Sequence, residues 1–279
     1  MPGHANPGPI DAPRLARLEC RRQAVGVAEI ARTAEPVLGG LMCYSGPGSW
    51  TNQAMGVGLD GPATAAEVDR LIDFYVSRGQ EPRVEVCPYA DESLIGLLLD
   101  RGFGIAEFEN VMLLTGSVRT ESVKEPPTIR AIDPRDPAEV AAWTRVSASG
   151  FVEPGSGAEA VFMESLMRVA AHPRTAAFVA ERNGDIVGAA AMEVAKPFGD
   201  EAVACLFAAS VLPEHRRSGI QQALIAARVA HARKAGSVAT FIHTKPGIPT
   251  ERNARRLGFE NLYTAIALVM RRAGLARSV

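Results

Sequence analysis

The stretch SVLPEHRRSGIQQAL, Ser210 to Leu224, reads as the end of a strand, a basic turn closed by one glycine, and the start of a helix. Such a turn aims several unpaired backbone N–H groups at one point, where the helix dipole adds partial positive charge. Gly219 lets the backbone approach a ligand closely or take a positive φ. His215, Arg216 and Arg217 bring cations within reach of phosphate oxygens. Behind the turn, ALIAARVAHARKAG supplies a helix anchored by Leu224, Ile225 and Val229. An isolated R-x-x-G is more often a solvated basic turn, so the reading rests on its surroundings.

Those surroundings alternate strands and helices. TAAFVAERNGDIVGAAAMEVAKPFGDEAVACLFAASVL reads as a run of antiparallel strands, with a hairpin turn at Asn183-Gly184, where both residues tolerate φ > 0. TIRAIDP reads as a strand, and DPAEVAAWTRVSAS and EAVFMESLMRVAAH as helices joined by the loop GFVEPGSG. Upstream, the good helix formers of APRLARLECRRQAVGVAEIARTAE predict a helix ending before Pro36. A second helix carries Val68, Leu71, Ile72 and Tyr75 on one face and stops at Gly79. Residues 1–12, rich in Pro and Gly, read as mobile.

GSVRTESVKEPP, Gly116 to Pro127, is polar and ends in two prolines, which marks it as a linker. The halves on either side echo each other. Thr240–Phe259 and Val84–Phe103 both run strand, turn, helix, Gly-Phe, strand, an order that points to duplication. The expected fold is α/β of the α+β type, in two domains over residues 1–122 and 123–279. Each would be a mixed, mostly antiparallel sheet flanked by helices.

Composition narrows the function. Thirty Lys plus Arg against 31 Asp plus Glu leave a formal charge of −1, which argues against nucleic acid as a partner. Cys20, Cys43, Cys87 and Cys205 sit in apolar segments without a C-x-x-C pair, the usage expected of reduced core thiols in a cytoplasmic protein. No apolar h-region and no run near membrane-spanning length is visible, and no His/Cys/Asp cluster has metal spacing.

With these elements in place, the C-terminal half, about Thr128 to Arg272, resembles the GNAT acyltransferase superfamily. Val211 and Pro213 match the family's Val-x-Pro at the end of its fourth strand. Arg216, Gly219 and the following helix match its Arg/Gln-x-x-Gly-x-Gly/Ala loop, and TERNARRLGF matches a later Asn/Ala-rich helix ending in Gly-Phe. Gln221 departs from the commonest pattern, yet GIQQALIAARVAHA is similar to a Gly-Ile/Val-Gln-x-Ala-Leu variant, and the amide could itself donate to phosphate.

The resemblance implies acetyl-CoA, or another acyl-CoA, as cosubstrate, with no metal. It implies that Ala209 and Val211 pair with the pantetheine arm, and that Arg216, Arg217, Ser218, Gly219, Ile220, Gln221 and Gln222 hold the pyrophosphate. Asn253 would either bond the cofactor or cap its helix. In the N-terminal half, VGLDGPATAAEVDRL connects a strand to a helix with no basic turn and no R-x-x-G, so this half reads as a copy without cofactor binding.

Direct transfer to the amine of a small molecule or peptide needs a base, an oxyanion donor and an acid. Many relatives carry a Glu on the fourth strand, but VACLFAASVL has none. Glu193 and His243 are the candidate substitutes, each also readable as a structural residue. Ser210 could relay a proton through water. Many relatives place an acid Tyr where this chain has Ala254; Tyr263 is the nearest alternative. Two other readings stay open: a silent acyl-CoA-binding sensor and a pure interaction module. Oligomeric state is open, a homodimer included.

Overall fold

Asp11 starts the first helix, α1 (Ala12–Ile30), by accepting the Arg14 amide at 3.1 Å, while Pro13 occupies the first turn, where its missing N–H costs nothing. The computed structural model describes residues 10–119, 126–197 and 199–278. Most of the start read as mobile, and the centre of the linker with the expected domain boundary, lie outside the described residues.

α1 is followed by β1 (Thr33–Val37), β2 (Gly40–Tyr44), β3 (Ala54–Met55), α2 (Ala65–Val76), β4 (Arg83–Val86), α3 (Glu92–Asp100) and β5 (Gly104–Leu114). The second half holds β6 (Thr128–Ala131), α4 (Pro137–Ala148), α5 (Glu159–Ala171), β7 (Thr175–Arg182), β8 (Asp185–Ala195) and β9 (Ala202–Val211). A 3₁₀ turn (Pro213–His215) leads to α6 (Ile220–Lys234), β10 (Ser237–Thr244), α7 (Pro249–Arg256) and β11 (Glu260–Val269).

The hairpin at Asn183-Gly184 is present, with φ of 53° and 87°. The first helix is shorter than its composition predicts. It ends at Ile30, and Pro36 lies in β1, the edge strand, where a residue without an N–H leaves no ladder bond unmade.

The run β3–α2–β4–α3–β5 is repeated as β9–α6–β10–α7–β11, the echo legible in the sequence. The pairing differs from two separate sheets. One eleven-stranded sheet runs β1-β2-β3-β4-β11-β5-β10-β9-β8-β7-β6. Each half has given its last strand to the other: β5 pairs with β10 (Leu114 with Thr240), and β11 with β4 (Leu268 with Val84). β5 and β11 then pair with each other from Gly104 to Leu113. The exchange hides edges that each half would otherwise expose. All pairs are antiparallel except β9–β10 and β3–β4.

Alternation sorts the core. Met112, Leu114, Ala204, Leu206 and Ile242 face α6 and α7, while Val111, Leu113, Val203, Cys205 and Phe241 face α1. The first helix of the N-terminal half therefore lies across strands of the C-terminal half. α4 and α5 cover Val179, Ala189 and Ala191 farther along. Among the described residues no helix is long and apolar enough to cross a membrane.

Strand exchange makes the halves interdependent. Residues 126–279 produced alone should aggregate, because Thr240–Thr244 of β10 would lose its partner; co-production with residues 1–125 should restore a soluble 1:1 complex on size exclusion. A folded, monomeric C-terminal half would contradict the topology.

Candidate active site

The parallel ladder between β9 and β10 runs from Ala202/Ser237 to Leu206/Ile242 and then stops. Beyond it, His243 and Thr244 stay paired to Val111 and Asn110 of β5, while the rest of β9 stays with β8. The cause is a bulge. Ala191 pairs with Phe207 and Ala189 with Ser210, so Ala208 and Ala209 oppose Ala190 alone. Ala208 takes φ +51° to absorb the extra residue. The strands splay, and β9 from Phe207 to Val211 has no ladder partner on its β10 side. Ala209 and Val211 lie on this segment, as does Ser210, whose hydroxyl is 3.2 Å from that of Ser149 at the end of α4. Gly150 permits that approach: a Cβ there would stand 2.8 Å from the Ser210 hydroxyl.

The splay leads directly into the basic turn. Arg217 (φ 62°) and Gly219 (φ 79°) are both left-handed and curl the backbone ahead of α6. No side chain caps α6, and its first turn holds no acid, so its leading N–H groups are left to an anion. Arg216 and Arg217 are exposed beside it, and the Arg216 Nε donates to the Val211 carbonyl at 3.0 Å. The Ser218 hydroxyl donates to the His215 carbonyl at 2.5 Å, closing the turn from within. Ile220 is buried in the core, leaving only its backbone for a ligand, and Gln222 is half-buried on the same helical turn.

Gln221 has another role than the phosphate donor entertained for it. Its amide donates to the Thr250 hydroxyl at 2.9 Å and its carbonyl accepts from Asn253 at 2.5 Å. Gln221 and Asn253 thus tie α6 to α7, which explains a glutamine where small residues are usual.

Of the catalytic candidates, Glu193 is buried and bound by Arg22 at 2.6 Å and Arg174 at 2.7 Å. Both of its oxygens are engaged by guanidinium groups, a pairing that suits a structural anion. His243 lies at the end of β10, with Nε2 2.8 Å from Glu19 and Nδ1 3.4 Å from Glu109. Burial alone would lower its pKa, but the bonds to Glu109 and Glu19 prevail and push it up to about 10. It is an imidazolium at neutral pH, able to give a proton and not to take one, which corrects its reading as a base. Burial works to raise the Glu19 pKa, yet Arg22 and His243 bring it down to about 2.

Tyr263 sits two strands from β10, in line with Val111 and His243. Its hydroxyl is 3.3 Å from the Cys20 sulfur and its acidity is suppressed by burial. It is packed under α1 rather than in the splay.

The sequence reading missed the charges on α1. Glu19 and Arg22, three apart amid apolar residues, were the available signal; their partners Glu193 and His243 are 171 and 224 residues away. Three triads, Glu19–Cys205–His243, Glu85–Glu109–His243 and Glu29–His172–Glu193, bring ligand atoms within 4.8 Å of one another despite the lack of metal spacing in sequence. Protonated His243 offers two of them no lone pair, and Arg174 binds both Glu29 and Glu193 in the third. Their donor sets are arranged for ion pairs.

Residues 142–259 match the family model described as Acetyltransferase (GNAT) family. That segment, a little over two fifths of the chain, is similar to a GNAT acetyltransferase domain. The fold extends beyond that domain. A GCN5-related N-acetyltransferase from Kribbella flavida superposes with a TM-score of 0.70 at 18% identity, covering 94% of this chain and 96% of that one. A GNAT-family protein from Novosphingobium aromaticivorans gives a TM-score of 0.55 at 14% identity, over 92% and 97%. At these identities the likeness is one of fold. No curated protein sequence matches the chain.

The charge network around His243 should be visible in stability. The raised pKa of His243 contributes stability that is complete below the unfolded value of about 6.5 and lost as pH rises through about 10. Glu85, raised to about 7 by burial and by Glu109, finishes losing its own contribution early in that range. Cys20, Cys43 and Cys205 are raised and enter only near their ordinary value of 9.0, while Cys87, lowered by its bond with Cys20, works in the opposite sense. The thermal midpoint should therefore fall between pH 7 and about 9, and His243→Gln should flatten that slope. An unchanged slope would refute the imidazolium.

Proposed function

We propose that the protein moves an acyl group, acetyl first, from an acyl-CoA to the amine of a small molecule or peptide by direct attack in a ternary complex. The carrying observation is the continuity of two features: the unpaired edge of β9 at Phe207–Val211 and the uncapped, acid-free start of α6. An extended amide-bearing arm ending in a pyrophosphate fits both at once. Ala209 and Val211 would pair with the arm, and the backbone from Arg216 to Gln222 with the pyrophosphate, aided by the guanidinium groups of Arg216 and Arg217. Bound acyl-CoA supplies the activated thioester. Ser210 stands on the splayed edge, and His243 holds a proton at its Nε2 and Nδ1 between Glu19 and Glu109.

In this reading residues 1–122 brace a catalytic domain of residues 123–279. The loop from β3 to α2, where a second cradle would lie, is closed on itself: the Gly58 amide donates to Leu38 and its carbonyl accepts from Asp91. The four free, buried cysteines fit a reducing, cytoplasmic setting. A second reading, a silent acyl-CoA sensor, draws on one observation: Glu193 and His243 are both committed to ion pairs.

Calorimetric titration of acetyl-CoA tests the site. Wild type should bind in the micromolar range, and Gly219→Glu should lose about 100-fold or more, since it places bulk and negative charge against the pyrophosphate. Gly219 has φ 79°, so Arg216→Glu, free of that strain, serves as the second variant. Wild type that does not bind would end the acyltransferase reading. Release of free CoA with an amine panel separates enzyme from sensor.

A ping-pong route through Cys205 is disfavoured by its burial, which pushes the thiol well above its ordinary value. Cys205→Ala should keep most of the turnover; loss of turnover with an unchanged melting curve would restore the thiol route.

A further inference from the structure

The bulge in β9 frees more than a ligand edge. Where Ala208 and Ala209 oppose Ala190, backbone carbonyls drop out of the ladder, Ala190 being fully buried and the bulge itself half-buried. Three fully buried side chains from helices on the two faces take them up. Trp143 of α4 donates its indole N–H to the Ala190 carbonyl at 3.0 Å, and the Ser147 hydroxyl donates to Ala208 at 2.9 Å. From the other face, Arg228 of α6 donates Nη1 to Ala191 at 2.8 Å and to Phe207 at 3.2 Å, while its Nε bonds Leu224 at 3.0 Å.

Arg228 is an expensive way to satisfy two carbonyls. It is 0% exposed, it forms no ion pair among the described residues, and its Nη2 has no partner. Breaking even requires an apolar isostere to be worse, and in protein cores it is often better. Burial brings its pKa down to about 9, so the guanidinium is still charged at neutral pH. A cation without a counter-ion among the described residues is therefore spent on backbone carbonyls, those of Ala191 and Phe207 flanking the bulge. The Phe207 carbonyl shares its trans peptide with the Ala208 N–H, and the Ala208 carbonyl with the Ala209 N–H. Donors on those oxygens fix the orientation of both amides and strengthen them as donors in turn.

We infer that Arg228 is a positioning residue for the acyl-bearing end of the cosubstrate: with Ser147 it fixes the Ala208 and Ala209 amides in the splay between β9 and β10. The inference rests on the acyl-CoA reading above and adds a specificity to it. The turn before α6 takes the phosphates without help from Arg228, whereas the thioester arm depends on it.

The test compares two probes on the full chain. Acetyl-CoA reports on phosphates and arm together; adenosine 3′-phosphate 5′-diphosphate, which lacks the arm, reports on the turn alone. In wild type, acetyl-CoA should bind at least tenfold tighter than the fragment. Arg228→Met should weaken acetyl-CoA about tenfold and leave the fragment within twofold, the loss expected for roughly one aligned hydrogen bond. Arg228→Lys, which keeps the charge and can reach a carbonyl, should recover part of the loss. Ser147→Ala, a smaller change on the opposite face, should move the two probes in the same unequal way and stands in if Arg228→Met does not fold. Equal weakening of both probes, or none of either, would show Arg228 to be only part of the core. Equal affinities in wild type would remove the arm from the splay. Wild type that binds neither probe would instead overturn the acyl-CoA reading itself.

Discussion

The interruption of the parallel ladder at Leu206 and Ile242 is the constraint around which the rest of the molecule is arranged. Ending a ladder inside a sheet strands backbone donors and acceptors where water cannot reach them. The protein meets that cost in two ways. On the β9 side, the bulge hands its carbonyls to Trp143, Ser147 and Arg228, so α4 and α6 must lie close to the sheet at those points. On the β10 side, His243 and Thr244 lose one neighbour but keep β5 as the other.

That second solution is why the N-terminal half matters. β5 belongs to it by sequence and to β10 by pairing, so the wall of the splay is built by the half that carries no basic turn. The same half sends α1 across the sheet, where Glu19 and Arg22 engage His243 and Glu193. Further ties fix it to α5: the Trp50 indole donates to Ser165 at 2.7 Å, and Arg168 to the Ile30 carbonyl at 2.8 Å. The C-terminal tail returns the exchange, with Ala276 bridging Gln80 and Arg271 reaching Glu81 at 3.1 Å. Under the proposed function, a bracing role for the first half thus draws on these pairings and not only on its lack of a basic strand-to-helix turn.

How much of this the sequence could disclose follows from distance along the chain. The turn from Ser210 to Leu224 is contiguous, and a strand, two arginines, a glycine and a helix suffice to define it. Asn183-Gly184 carries its own conformational preference. The echo of Val84–Phe103 in Thr240–Phe259 showed the repeat, but nothing in either segment specifies which half's edge strand β5 will join, because both offer an apolar β partner of similar length. Pro36 misled for the opposite reason: helix formers continue up to it, and only the tertiary placement of β1 at the sheet edge decides for a strand. Gln221 could be read as a phosphate ligand until Thr250, 29 residues on, claimed its amide. Glu193 and His243 read as candidate bases, yet Arg22 and Glu19 of α1 engage them, and no local pattern announces a partner 171 or 224 residues away.

The charges that remain near the splay bear on the proposed chemistry. Glu193 is neutralised by two arginines, and His243 is fixed as a cation between two carboxylates. A site so furnished has a proton to give to a departing thiolate, while neither Glu193 nor His243 is free to receive one from the amine. For a lysine-like acceptor, with a pKa near 10.4, only about one molecule in 2,500 is neutral at pH 7, and a base is needed to raise that share. For an α-amino group, at 7.7–8.0, about one in ten is already neutral. Proximity and an ordered thioester can accelerate attack by such an amine without a dedicated base. Under the proposed transfer, the engagement of Glu193 by Arg22 and Arg174, and of His243 by Glu19 and Glu109, therefore favours acceptors of low basicity, which ask least of a base.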